Sequence, residues 1–125
     1  ADIKQFVHHL EQTNLIKFSL NFGNEPNMGN NTSIFLYRAV SELINNSIRH
    51  SGCSNIVLKV HQAKGLLWVE YKDDGKGFDV ELVLSNPASG FGIQNIINRI
   101  KALNGDVAIV SSPAKGMTTT LKIPV

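Results

Sequence analysis

The stretch from about Ser33 to His50 constrains this chain most. Leu36, Val40, Leu43, Ile44 and Ile48 recur at helical spacing and define one apolar face. Arg38, Glu42, Asn46 and Arg49 fall on the other side. Glu42 and Asn46 are one turn apart, so their side chains project the same way. A carboxylate stacked on a carboxamide offers oxygens to a hard cation such as Mg²⁺, which takes one or two protein oxygens and fills its shell with water and phosphate. Arg49, close by, is placed to meet phosphate charge. A solvated helix face carrying ordinary polar residues explains the same pattern, and for this helix alone it is the commoner case.

Two downstream segments change those odds. Asp73-Asp74-Gly75-Lys76-Gly77-Phe78 follows Leu66–Tyr71, which reads as a strand. The alternate glycines permit positive φ and leave room for a flat ligand to approach the backbone. The acceptor-only Asp73 suits an amino group such as the exocyclic amine of adenine. An ordinary surface turn is the competing account. Gly90-Phe91-Gly92 then feeds a helix in which Ile93, Ile96, Ile97, Ile100 and Leu103 repeat at helical spacing. Such an entry presents free N–H groups and the positive end of a helix dipole to an anion. A merely flexible helix entry serves equally well. Lys115-Gly116-Met117-Thr118 turns into a final strand.

Taken in order, these four pieces resemble the GHKL ATP-binding fold, and in particular the catalytic ATP-binding domain of two-component sensor histidine kinases. The likeness is to the short-lid subgroup that partners helix-turn-helix response regulators, and it runs from about Asp2 to Val125. Tyr37-Arg38 before Glu42, and Arg49-His50-Ser51 after Asn46, look like that subgroup's N box. Asp73, Gly75 and Gly77 match the first glycine box, Gly90 and Gly92 the second, and Gly116 the last. Three departures stand out. Met117 occupies the position after the last-box glycine where Thr is usual, with Thr118 next. Ser41 stands where Gln is frequent. The segment between Gly77 and Gly90 is short.

The resemblance implies an enzyme that binds ATP with Mg²⁺ and transfers a phosphoryl group to a histidine on a separate dimerisation domain, upstream of a response regulator. It implies Asn46, with Glu42 directly or through water, at the metal, and Glu42 also as proton acceptor or water organiser. Asp73 would contact adenine. Arg49, His50, Gly75, Gly77, Gly90, Gly92, Gly116 and Thr118 would line the nucleotide, with His50 equally well explained as a helix-end residue facing the dipole. Two alternatives share the fold: a degenerate GHKL module that docks a partner without transfer, and an anti-sigma-factor serine kinase.

Composition agrees with one domain. The 125 residues suffice for a single core. A formal charge of +2 without a polybasic run gives no expectation of nucleic acid or an anionic membrane as partner. No apolar stretch has spanning length. The single Cys53 excludes an internal disulfide and suits a reducing, cytoplasmic setting, with anchoring of the parent protein left open. No His/Cys set has zinc spacing. The start at Ala1 fits a fragment of a larger protein. His8 and His9 lack the acidic and basic neighbours of a phosphoacceptor, and His61 falls on the solvent side of its strand.

The element order expected is a helix over Asp2–Thr13, a strand over Ile16–Phe22, a loop over Gly23–Asn31 and the long helix. Strands over Ser54–Ala63 and Leu66–Tyr71, a short helix over Asp79–Leu84 and the Ile93 helix follow, then strands over Val107–Ser111 and Thr118–Ile123. These predict a two-layer α/β sandwich with a mixed, mostly antiparallel sheet and helices on one face.

Overall fold

A computed structural model describes residues 3–13, 16–22, 29–86 and 92–125. Its elements are α1 (Ile3–Thr13), β1 (Lys17–Asn21), α2 (Asn30–Asn46), a π-helical turn (Ser47–Ser51), β2 (Asn55–Ala63), β3 (Leu66–Asp73), α3 (Val80–Ser85), α4 (Ile93–Lys101), β4 (Asp106–Ser111) and β5 (Met117–Pro124). The strands form one sheet in the order β1-β2-β3-β5-β4. Only the β1–β2 pair is parallel, and α2 with its π turn makes that crossover. The expected mixed, mostly antiparallel sandwich is therefore the observed fold.

Period-two alternation divides the sheet into two faces. Ile56, Leu58 and Val60 of β2, Leu67, Val69 and Tyr71 of β3, and Met117, Leu121 and Ile123 of β5 are buried. They pack against Ile3 and Val7 of α1, Leu36, Val40, Leu43 and Ile44 of α2, and Ile93, Ile96 and Ile100 of α4 in one core. The opposite face carries Lys59, His61, Glu70, Lys72 and Lys122, all exposed. There Trp68 lies between the stacked His61 ring, 6.1 Å away, and the Lys122 ammonium at 4.8 Å.

Several boundaries differ from the expectation for identifiable reasons. The α2 helix begins at Asn30 rather than Ser33, and regular α geometry stops at Asn46 rather than running to His50. The Ser51 hydroxyl bonds back to the Ser47 carbonyl at 2.7 Å and receives the Cys53 N–H at 3.1 Å, and Gly52 in the left-handed region ends the turn. A side chain competing for backbone groups is a common cause of such departures, and widened turns concentrate at functional sites. The β3 strand extends two residues past Tyr71, to Asp73, because β5 on one side and β2 on the other continue its ladder that far. The short helix starts at Val80, and Asp79 caps it by accepting the Leu82 N–H at 3.1 Å.

Candidate functional site

Asp73 ends β3 inside the ladder, opposite Ile56 and Met117. Two residues beyond Tyr71, it shares that residue's face and points toward α2. It is 4% exposed. Its Oδ2 accepts the Ser47 hydroxyl at 2.7 Å, and its Oδ1 accepts the Gly75 N–H at 3.0 Å. Ser47 Oγ in turn lies 2.5 Å from the Tyr71 hydroxyl, which also reaches the Leu43 carbonyl at 3.2 Å. Burial pushes the Tyr71 phenol far up, so it keeps its proton. A buried tyrosine, serine and aspartate thus join β3 to the helix end.

Asn46 precedes Ser47 and is 5% exposed, with its Oδ1 buried and accepting no hydrogen bond among the described residues. Glu42, one turn earlier, is half-buried against Gly92 at the entrance to α4. Gly92 has φ +61°, and a methyl group there would run into Glu42 Oε1. The left-handed backbone favours glycine at that point, and any larger residue would push the Glu42 side chain aside. A cavity of ≈ 260 Å³ opens beside it, between the end of α3 and the start of α4. Arg49 is exposed and its Nη2 lies 3.4 Å from His50 Nε2. Ser41, in the position where Gln is frequent in the resemblance, bonds its own helix at the Tyr37 carbonyl, 2.6 Å away.

The described glycines of the boxes pack against protein. Gly77 sits at φ +66°, and a Cβ would strike the Ser112 carbonyl and lie 2.8 Å from the Gly116 carbonyl. Gly75 packs on Ser51, and Gly116 packs on the Asp73 carbonyl. Ser111 ties the same region together: its hydroxyl donates to the Gly116 carbonyl at 2.6 Å and accepts the Phe78 N–H at 3.0 Å. The first and last glycine boxes are consequently one packed unit. Asp74, exposed, clasps the start of β2 by accepting the Ser54 N–H at 2.8 Å, the Asn55 N–H at 2.9 Å and the Asn55 side-chain amide at 2.8 Å. The Asn55 side chain and backbone hold the Asp74 carboxyl below its ordinary range.

Glu42, Asn46, Asp73, Gly75, Gly77, Gly92 and Gly116 therefore gather along the edge where α2, β3 and the α4 entrance meet. Thr118 does not join them. Strand parity turns it to the open face, opposite Lys72 and Val110. The hydroxyl on the helical side belongs to Thr119, fully buried and donating to Met117 Sδ at 2.8 Å. Gly90 lies outside the described residues. Ser47 and Tyr71 were not singled out from the sequence. A hydroxyl at 47, three and four residues after Ile44 and Leu43 on the core-facing stripe, is the signal that would have found the first. The Tyr71–Asp73 spacing of two along one strand would have found the second.

Burial pushes the Cys53 thiol up, which makes it an inert filler. Among the described residues no group of three His, Cys, Asp or Glu side chains is arranged to hold a metal, and no helix is long and apolar enough to cross a membrane.

Residues 31–125 match the family described as histidine kinase-, DNA gyrase B- and HSP90-like ATPases. The chain belongs to that ATPase family. Among curated relatives it is 31% identical over 88 residues to the sensor histidine kinase ComP of Bacillus subtilis, covering 70% of this chain and 11% of ComP. It is 27% identical over 124 residues to the histidine-protein kinase/phosphatase DegS of Brevibacillus brevis, covering 98% of this chain and 31% of DegS. The chain thus spans a third or less of the length of these relatives. Among solved structures, the histidine kinase AdeS of Acinetobacter baumannii superposes with a TM-score of 0.77 at 23% identity, over 98% of this chain and 60% of that one. The histidine kinase domain of the Erythrobacter litoralis EL346 kinase superposes with a TM-score of 0.77 at 17% identity, over 96% and 56%. The fold is that of the histidine-kinase ATPase domains.

Proposed function

We propose that this chain binds Mg·ATP and acts as the phosphoryl-donor domain of a cytoplasmic two-component histidine kinase, passing the γ-phosphoryl group to a histidine on a separate dimerisation domain. The observation that carries this reading is the buried Asp73 carboxylate, held at the end of β3 beside the α2 turn that bears Asn46 and Glu42. Asp73 accepts the adenine amine. The residues also suit Mg²⁺: one buried carboxamide and one carboxylate make a poor all-protein cage but a fitting partial shell for an ion that arrives on phosphate. When bound, that ion would neutralise charge developing on the phosphates. The half-exposed Gly92 backbone at the α4 entrance supplies N–H donors to the same phosphates.

In the transfer, an acceptor imidazole nitrogen forms a bond to the γ-phosphorus as the bond to the bridging oxygen breaks and ADP leaves. Glu42 takes the imidazole proton in this reading, directly or through a water. Arg49 and His50 flank the phosphates from the π turn. The acceptor domain and the response regulator are partners of the larger protein. The partner-docking alternative without transfer lacks a specific observation in its favour. Radiolabelled Mg·ATP with an added dimerisation domain is the test: acid-labile phosphohistidine on that domain supports the reading, and its absence despite ATP binding refutes the donor role.

A further inference from the structure

Two residues that touch no reacting atom bear on base selection. Ser47 has one proton, and a carboxylate can only accept. The 2.7 Å contact to Asp73 Oδ2 therefore uses the Ser47 proton. Tyr71 must then be the donor across the 2.5 Å contact to Ser47 Oγ, and the strongly raised phenol keeps the proton this requires. The Leu43 carbonyl, at 3.2 Å from the Tyr71 oxygen, already accepts the Ser47 backbone N–H and competes only weakly. All three side chains are at least nine-tenths buried, so water does not scramble the order.

We propose that Tyr71 and Ser47 form a proton-ordered relay that holds Asp73 as an acceptor-only reader of a purine 6-amino group, making both positioning residues for discrimination against 6-oxo purines. The inference rests on the proposed adenine contact at Asp73. Gly75 and Ser47 occupy one lone-pair direction on each carboxylate oxygen, which fixes the plane of the group. The remaining lone pairs then point in a set direction, matching an amine donor and opposing a carbonyl acceptor. Without the Ser47 proton the carboxylate is free to turn, and the direction is lost. Chains of this kind polarise each successive bond, so the Tyr71 hydroxyl strengthens the Ser47 contact it does not itself make.

The test is calorimetric titration of wild type, Ser47→Ala and Tyr71→Phe with Mg·ATP and with Mg·inosine triphosphate, which carries oxygen in place of the 6-amino group. Wild type should prefer ATP. Ser47→Ala should weaken ATP by roughly three- to tenfold while leaving inosine triphosphate within about twofold. Tyr71→Phe keeps the ring in the core and should reduce the same preference by roughly two- to fivefold. An unchanged preference in both variants overturns the relay, and so does equal weakening of both nucleotides, which would mark a purely structural role. A wild type that does not discriminate instead refutes the adenine contact at Asp73 itself, and the relay with it.

Discussion

Asp73→Asn isolates the chemistry of one oxygen. The substitution keeps the size of the side chain and replaces a carboxylate oxygen with an amide NH₂. Two donors already converge on that group, Ser47 Oγ at 2.7 Å and the Gly75 N–H at 3.0 Å. Asn has one acceptor oxygen, so its NH₂ must face one of them. A hydrogen bond to a charged acceptor contributes about 1.5–3 kcal/mol, against about 0.5–1.5 for a neutral one, and a buried donor left without an acceptor costs about 1–3. Ser47 can rotate to accept from the new NH₂, so the stability loss should sit near 2 kcal/mol. On the ligand side the NH₂ opposes the base's amine, and losing a charge-assisted bond of about 1.5–3 kcal/mol lowers ATP affinity by about one to two orders of magnitude. Urea unfolding gives the first quantity and calorimetric titration with Mg·ATP the second. Asp73→Asn protein that is less stable but binds ATP at full strength would show Asp73 to be a clamp between β3 and α2, and the reading of the site would fall.

Four further outcomes are expected. Asn46→Ala should lose the enhancement of ATP binding by Mg²⁺ and abolish transfer to an added acceptor domain, whereas Glu42→Gln should impair transfer more than binding; retained Mg²⁺-dependent transfer in Asn46→Ala would show that Asn46 does not hold the metal. The chain alone should give no acid-labile phosphohistidine with labelled ATP, and stoichiometric labelling of His8 or His9 would overturn that. Gly77→Ala should destabilise the protein by about 2 kcal/mol, from positive φ plus the collision with the Ser112 carbonyl, and a thermal midpoint equal to wild type would contradict the packed arrangement of the glycine boxes. Asp74→Ala should cost about 1 kcal/mol at pH 7, a figure kept low because the group is exposed. The folded-state shift of Asp74 is downward, so its contribution is full above the ordinary value of 3.8 and is lost as pH falls through the depressed value. The gap between wild type and variant in urea midpoint should accordingly close on acidification, and a gap that widens would refute the clasp.

Much of the architecture was legible because it depends on local periodicity. The apolar repeats Leu36–Val40–Leu43–Ile44 and Ile93–Ile96–Ile100 determined which helix faces are buried, and the alternation Ile56–Leu58–Val60 determined the core side of β2. Asp73 and the glycines were legible as residue types whose chemistry is unusual in a strand end. The ends of α2 and β3 were not. The first depends on the Ser51 hydroxyl bonding back to Ser47, a local contact that helical periodicity does not register, and the second on how far β2 and β5 prolong a ladder, which a residue's own neighbours do not encode.

The sequence by itself determined the layers and the faces and supplied candidates for the site, because hydrophobic spacing and turn chemistry act within a few residues along the chain. Only the tertiary structure decided which of those residues meet and what each side chain touches. Strand register turned Thr118 outward and Thr119 inward. Folding β5 back on β3 packed Gly77 on the turn that ends at Gly116, so the glycines serve protein contacts as well as any ligand. Docking α2 on β3 brought Ser47 to Tyr71 and Asp73 across 24 and 26 residues of chain. A hydrogen bond needs its partners within about 3 Å and correctly aimed. That condition on two distant segments is met only when the sheet, the helix and the widened turn between them are all in place.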